Sequence, residues 1–446
     1  MKTPIYDFVK KYAEADFSRL HMPGHKGHGV LGAERFDITE IFGADELFSP
    51  DSVIAESEAA AAEIFGTEAT LYSTEGSTLC IKTMLAIALT ERELSHSKTV
   101  LAARNAHRAF VNAAALLDID IDWVYGSSNH LCTSLVSEQD VERALSRAEK
   151  LPFAVYITSP DYLGNLLDVA KIAEVCRKYS VPLLVDNAHG AYLAFCEPSL
   201  HPIALGADMC CDSAHKTLPT LTGGAYLHVS KDAPVGFAEC AKARMAVFAS
   251  TSPSYLILSS LDLCNAYLAD GYKEKLDVTV KEIDSLKERI SSLSIRVMPS
   301  EPMKIVLAPR SFGYTGDMLS DYLRKNRIEA EFSDSDYTVL MPTPENRRED
   351  LERVYKALTA LSRRKALSES TESEPHRTHT RALSVREAML SKSERISVRS
   401  AVGRIAASPT VSCPPAVPIV VSGEMIEESD IVIFERYGIN TVDVVK

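Results

Sequence analysis

The residues able to do chemistry in this chain gather at the ends of apolar runs. The run ADMCCDSAHKT (207–217) closes on Ser213-Ala214-His215-Lys216. A lysine delivered by a buried strand is costly unless paired or neutral, and partial desolvation makes it an amine suited to Schiff-base formation. Standing alone, the motif would be better read as an exposed loop lysine. VPLLVDNAHG (181–190) ends at Asp186. A carboxylate in such a crevice either keeps a heterocyclic nitrogen protonated by charge pairing or caps the next turn. Ala188 projects the same way if the strand continues, and its methyl is small enough to lie under a flat ring. Thr74-Glu75-Gly76-Ser77-Thr78 precedes a helical pattern. Helix-start N–H groups and two hydroxyls suit a phosphate, although Ser and Thr are also ordinary helix caps. After TVLAAR, the segment Arg104-Asn105-Ala106-His107 presents an imidazole that stacks on a planar group, handles a proton, or is a plain surface or core histidine.

Phosphate seat, imidazole, acid and amine occur in that chain order. Together they form the set that grips pyridoxal 5'-phosphate by its phosphate, ring face, ring nitrogen and aldehyde. No strand is followed by G-x-G-x-x-G and no G-x-x-x-x-G-K-[ST] occurs, which disfavours a nicotinamide or P-loop site. HMPGHKGHG (21–29) holds His21, His25 and His28, but its glycines and proline describe a shaped loop; no metal is expected.

Alternating elements must position these groups. The pattern predicts a helix over 53–64, a strand at ATLYS (69–73), then a helix from LCIKTMLAIAL. Strands follow at 99–104, IDWVYG, 153–159, 181–190, 207–217 and 223–230, separated by helices at SEQDVERALSRAEK and VAKIAEVCRKYS. Strand–helix alternation implies an α/β fold with a mostly parallel sheet, whose ligands sit beyond the strands' carboxyl ends. The division expected is an arm and loop (1–48), a large cofactor-binding domain (49–270), a small α/β domain (271–366), a polar linker (367–380) and a C-terminal α+β domain (381–446). That last part is read as one helix, a Pro-rich segment (413–424) and a hairpin-like end.

The chain has 446 residues, 46% of them hydrophobic, enough for several packed cores. A net charge of −13 disfavours nucleic acid as partner. No apolar run is long enough for a membrane span, and MKTPIYDFVKKY lacks a signal-peptide core. Nine cysteines are too dilute for a disulfide scaffold; Cys210 and Cys211 read as buried strand thiols, in a reducing cytoplasm.

LHMPGHKG, DITEIFGADELFSP, RNAHRAF, DNAHGAYLAF, DSAHKTL and STSPSYLILSSLD resemble the bacterial Orn/Lys/Arg decarboxylase family, pyridoxal-phosphate enzymes of the aspartate-aminotransferase fold (fold type I). The tail AVGRIAASPTVSCPPAVPIVVSGEMI resembles that family's C-terminal domain, so the likeness runs from about Tyr6 to about Ile426. It implies that Lys216 binds the cofactor aldehyde, Asp186 pairs with its ring nitrogen and His107 stacks on the ring. Gly76, Ser77 and Thr78 would seat the phosphate, with Ser213 and His215 nearby and His189 and Ala188 also at the cofactor. Thr251 and Ser252 match a segment reaching the neighbouring subunit's cofactor, which implies a homodimer with shared sites, higher assemblies staying open. The chain departs from the family in three places. Asn187 stands where Glu is frequent, Ser73-Thr74 where Asn-Gly is, and Asp212 where Gln is. The longest members carry an N-terminal receiver-like domain; this chain starts at the arm, so their ring assemblies are not implied.

The resemblance implies decarboxylation of a basic amino acid, arginine first and then lysine or ornithine, feeding polyamine synthesis. Lys216 or His215 would return a proton to Cα. A distal cation needs a carboxylate or aromatic wall, for which Asp45 and Glu46 are candidates unless they cap a turn. An aminotransferase or Cα–Cβ lyase of the same fold and a non-catalytic paralogue are the alternatives.

Overall fold

The computed structural model describes residues 1–128, 130–368, 378–409 and 415–446. The expected linker (367–380) lies largely, and the Pro-rich segment (413–424) partly, outside the described residues. In chain order the strands are β1 (Ala69–Ser73), β2 (Thr99–Ala103), β3 (Asp120–Val124), β4 (Ala154–Thr158), β5 (Leu183–Asp186), β6 (Met209–Asp212), β7 (Ala225–Val229), β8 (Arg296–Met298), β9 (Ile305–Ala308), β10 (Phe332–Ser333), β11 (Thr338–Leu340), β12 (Ser393–Ser397) and β13 (Thr441–Val445). Helices alternate with the first six, as the sequence implied. The fold is α/β with a mostly parallel large sheet.

The chain forms two compact units. One comprises Met1–Ser97, Lys150–Tyr156 and Val169–Glu274; the other Lys98–Glu149, Ile157–Asp168 and Lys275–Lys446.

In the first unit the strand order is β1-β7-β6-β5. Every residue of β5, β6 and β7 is buried, which explains why they are mostly apolar without alternation: a strand covered on both faces has no solvent side to alternate toward. β5 and β6 are parallel, while β7 is antiparallel to both β6 and β1. The register sets Ser73 opposite Ala225 and Asp212 opposite Tyr226. The carboxyl ends of β1, β5 and β6 therefore emerge at one edge, where the expected chemistry lies. The first fifty residues are not all loop. Pro4–Glu14 is helical, with proline in its first turn and Ile5 and Val9, four residues apart, buried on one face.

In the second unit β2 and β3 pair in parallel, and β10-β11-β9-β8 form an antiparallel sheet. Among its described residues the tail holds two α-helices rather than one, Val385–Leu390 and Glu428–Arg436, each opened by a reciprocal capping box (Ser384 with Glu387, Glu427 with Asp430). Its end is not a local hairpin: β13 pairs antiparallel with the distant β12. Val398, Ile419, Ile426, Phe434, Val442 and Val444 form the tail's core.

Candidate active site

Lys216 sits on the single helical turn Ala214–Thr217 that follows β6, one step beyond the strand end the sequence suggested. Its Nζ lies 3.1 Å from Nε2 of His189, in the loop after β5. His189 is buried, and it comes three residues after Asp186, the last residue of β5. Parallel neighbours thus deliver the amine and the acid to the same edge. Asp186 is buried too. It accepts hydrogen bonds from the Tyr156 hydroxyl at 3.2 Å and the Ala188 N–H at 3.2 Å, and Cys211 Sγ lies 3.6 Å away. Burial and the Asp186 charge push the Tyr156 hydroxyl up, so it stays a proton donor to the carboxylate.

The phosphate turn forms at the end of β1. Gly76 has φ +68°, a left-handed backbone that favours glycine, and its N–H donates to the Gly223 carbonyl at 2.8 Å. Ser77 and Thr78 occupy the first turn of the helix Gly76–Thr90, whose start has no side-chain cap, so the orphan N–H groups there suit an anion. The Ser213 hydroxyl donates to that of Ser77 at 2.9 Å, tying the turn before Lys216 to this helix start. Glu75 turns aside and accepts the Ser250 N–H at 2.7 Å, which brings the exposed Thr251 and Ser252 to the same edge. Next to Lys216, the hydroxyls of Thr217 and Thr220 are buried without hydrogen-bond partners. Such hydroxyls cost stability unless something satisfies them. With the uncapped helix start, the amine and the buried acid, they fit a phosphorylated aldehyde cofactor.

His215 Nδ1 donates to the Gly224 carbonyl at 3.0 Å, which orients the imidazole beside Lys216. His107 belongs to the second unit, where it is the N-cap of Arg108–Leu117 and its Nδ1 accepts the Ala109 N–H at 3.1 Å. That fixes its proton on Nε2. The first unit therefore gathers Gly76, Ser77, Thr78, Asp186, Ala188, His189, Ser213, His215, Lys216, Thr251 and Ser252.

Asp45 has another task. Its buried carboxylate accepts the backbone N–H groups of Asp51, Ser52, Ile54 and Ala55 at 2.9–3.4 Å, capping the helix Val53–Phe65. Desolvation opposes its charge, but those four donors hold its pKa below the usual carboxylate range. Of the two readings open for Asp45, the structure supports the cap. Glu46 accepts the Phe48 N–H at 3.0 Å within the same loop.

The residues beneath the site escaped sequence reasoning. Asn187 donates its amide to Asp212 at 2.6 Å, while Asp212 Oδ2 faces Nε2 of both His201 (3.1 Å) and His228 (3.2 Å). Nδ1 of His228 meets the Thr70 hydroxyl at 2.8 Å. Burial disfavours the Asp212 charge, but the two histidines outweigh it and keep the acid ionised. The available signals were His228, a lone polar residue inside the apolar run AYLHV, and the departures from the family pattern at Asn187 and Asp212. His21 bonds Tyr12 and His25 bonds Asp37, so these two histidines of the Gly-rich loop serve local contacts. Ligand-type side chains do converge elsewhere, at His201/Cys210/Asp212 and His130/Asp334/Asp336, all buried.

An α/β sheet with lysine, aspartate and an anion-ready helix start at one edge is the architecture of fold type I pyridoxal-phosphate enzymes. Lysine decarboxylase LdcF of Francisella novicida superposes over 100% of this chain and 81% of its own with a TM-score of 0.81 at 16% identity. The constitutive lysine decarboxylase of E. coli superposes with a TM-score of 0.80, also at 16% identity, over 100% of this chain and 82% of its own. Family models for the Orn/Lys/Arg decarboxylase major domain and C-terminal domain match residues 3–306 and 364–437. The chain belongs to the Orn/Lys/Arg decarboxylase family and is an amino-acid decarboxylase. Arginine decarboxylase of Bacillus subtilis (strain 168) is 27% identical across 96% of this chain and 92% of that protein; the arginine decarboxylase of Halalkalibacterium halodurans shows the same values.

Proposed function

We propose that this chain decarboxylates a basic amino acid with pyridoxal 5'-phosphate, arginine being the first candidate and lysine and ornithine the next. The observation that carries the reading is the placement of Lys216 Nζ against His189, three residues beyond the buried Asp186, at the edge where the uncapped helix start lies. Arginine ranks first because the full-length relatives named above are arginine decarboxylases.

When bound, the cofactor supplies an electron sink for the pair left as the substrate carboxylate departs as CO₂. The protein does the rest. Lys216 Nζ would be the amine that holds the cofactor aldehyde between turnovers. Asp186, oriented by the Tyr156 hydroxyl and the Ala188 N–H, would hold a proton on the ring nitrogen. The first-turn N–H groups with Ser77, Thr78 and Ser213 bind the phosphate. His107 would stack on the ring, and the Ala188 methyl is small enough to lie against a flat group. Lys216 or His215 would return a proton to Cα.

A homodimer fits the arm (1–48), which leaves Leu20, Met22, Val30, Leu31 and Phe42 largely exposed; such a patch calls for cover. Thr251 and Ser252 would then reach the partner's cofactor. Among the described residues no helix is long and apolar enough to cross a membrane. A cytoplasmic role in polyamine synthesis is the setting proposed.

The test offers arginine, lysine and ornithine separately to the holoenzyme and measures CO₂ and the amine formed. Agmatine as the preferred product supports the first choice. Keto-acid formation without CO₂ would instead point to an aminotransferase.

A further inference from the structure

Arg104 follows β2 and begins the turn that carries His107. Its side chain is 1% exposed. A guanidinium keeps its charge at any physiological pH and offers five donors, so burial is tolerable only among acceptors. The C-terminal segment supplies them. Nη1 donates to the Pro418 carbonyl at 2.9 Å; Nη2 donates to the Ile419 carbonyl at 2.9 Å and to the Glu424 carboxylate at 3.4 Å. The guanidinium also lies over the Trp123 ring, 5.1 Å from its centre. Glu424 is itself fixed, accepting the Val421 N–H at 2.8 Å and lying 3.7 Å from His379. At the other side of the turn the Arg108 N–H donates to the Ala416 carbonyl at 2.9 Å. Residues 416–424 thus grip the turn on both sides of His107.

A simple packing role for the tail would not need a buried cation reaching into it from the residue block that also carries His107. We infer that segment 416–424 is a positioning element for His107, acting through the Arg104 clasp, so that the C-terminal domain sets how the imidazole is held for the cofactor-stacking role proposed above. This rests on the reading that His107 stacks on that ring. Arg104 and Glu424 are positioning residues: they act through His107 and touch nothing that reacts.

The test is a double-mutant cycle on the full chain, read as the dissociation constant of pyridoxal phosphate and as the visible circular dichroism of the bound cofactor. Arg104→Gln and Glu424→Gln are each expected to weaken binding about tenfold and to alter the dichroic band. In a His107→Ala background the same changes should add less than about twofold. Glu424→Gln is the milder variant and carries the cycle if Arg104→Gln does not fold. Full additivity, or a fall in melting temperature with unchanged affinity and dichroism, would overturn the clasp. If His107→Ala alone leaves both readouts unchanged, the stacking role of His107 is what fails, and the inference falls with it.

Discussion

The Asn187 side chain donates to Asp212 across 2.6 Å and so pins the loop after β5 to the turn after β6. The pin lies directly beneath the site: Asp186 and Ala188 flank one end, Ser213 the other. Gly190 belongs to the same arrangement. A side chain there would put its Cβ 2.0 Å from Asn187 Oδ1, so only glycine lets the loop fold over the amide.

This pin makes an isosteric exchange informative. Asn187→Asp would set its carboxylate against that of Asp212 in a buried place, a cost of roughly 3–5 kcal/mol by analogy with broken buried pairs. Asp212→Asn would withdraw the charge that His201 and His228 face. The double exchange restores a donor–acceptor pair, and the carbonyl oxygen of the amide introduced by Asp212→Asn can accept from both imidazoles. Each single variant should lower the melting temperature and weaken cofactor binding by about tenfold or more, with the double variant recovering most of both. A double variant as impaired as its parents would remove the pin from the account.

The placement of Lys216 leads to a chemical prediction. Borohydride reduction of the holoenzyme followed by peptide mass analysis should find the pyridoxyl adduct on Lys216. Lys216→Ala should lose the visible imine band and at least roughly a thousandfold in turnover. Asp186→Asn keeps the shape but no longer holds a ring proton by charge, so turnover should fall on the order of a hundredfold with the Lys216 adduct intact. An adduct on another lysine would displace the assignment.

How far the sequence could be read follows from where partners lie along the chain. Lys216, Asp186 and the Gly76 turn were legible because each ends an apolar run, and a parallel sheet brings such ends together. Asp45 was ambiguous, since a carboxylate before a helix can meet either a cation or the helix's own N–H groups; here four N–H groups within ten residues take it. Tyr156, Asn187 and Asp212 depend on partners 25–30 residues away, set by the adjacency of β4, β5 and β6. The acceptors of Arg104 stand more than 310 residues downstream, beyond any local pattern. The second tail helix was missed because EESDIVIFER is short, and its capping box uses Glu427 where Ser or Thr would announce a start.

Acid and alkali should loosen different places. His228 is held below its ordinary pKa: burial disfavours its charge more than Asp212 favours it. Asp212 is also held low, by its histidines against burial. For both groups the unfolded chain binds more protons. Their stabilisation is therefore complete above the ordinary histidine range and is lost as pH falls, first through His228 below about 6.5 and later through Asp212 below about 4. His379 has the opposite sign. Burial lowers its pKa, but Asp430 at 3.0 Å and Glu424 at 3.7 Å raise it further, so the folded protein holds the extra proton. That stabilisation is present below about 6.5 and fades as pH rises through the raised folded value. Melting temperature measured from pH 4 to 9 should fall on both sides of a neutral maximum. His379→Gln should flatten the alkaline side alone and His228→Gln the acid side alone, each by a few degrees. If His379→Gln left the alkaline limb unchanged, the charge pairing assigned to the tail would be wrong.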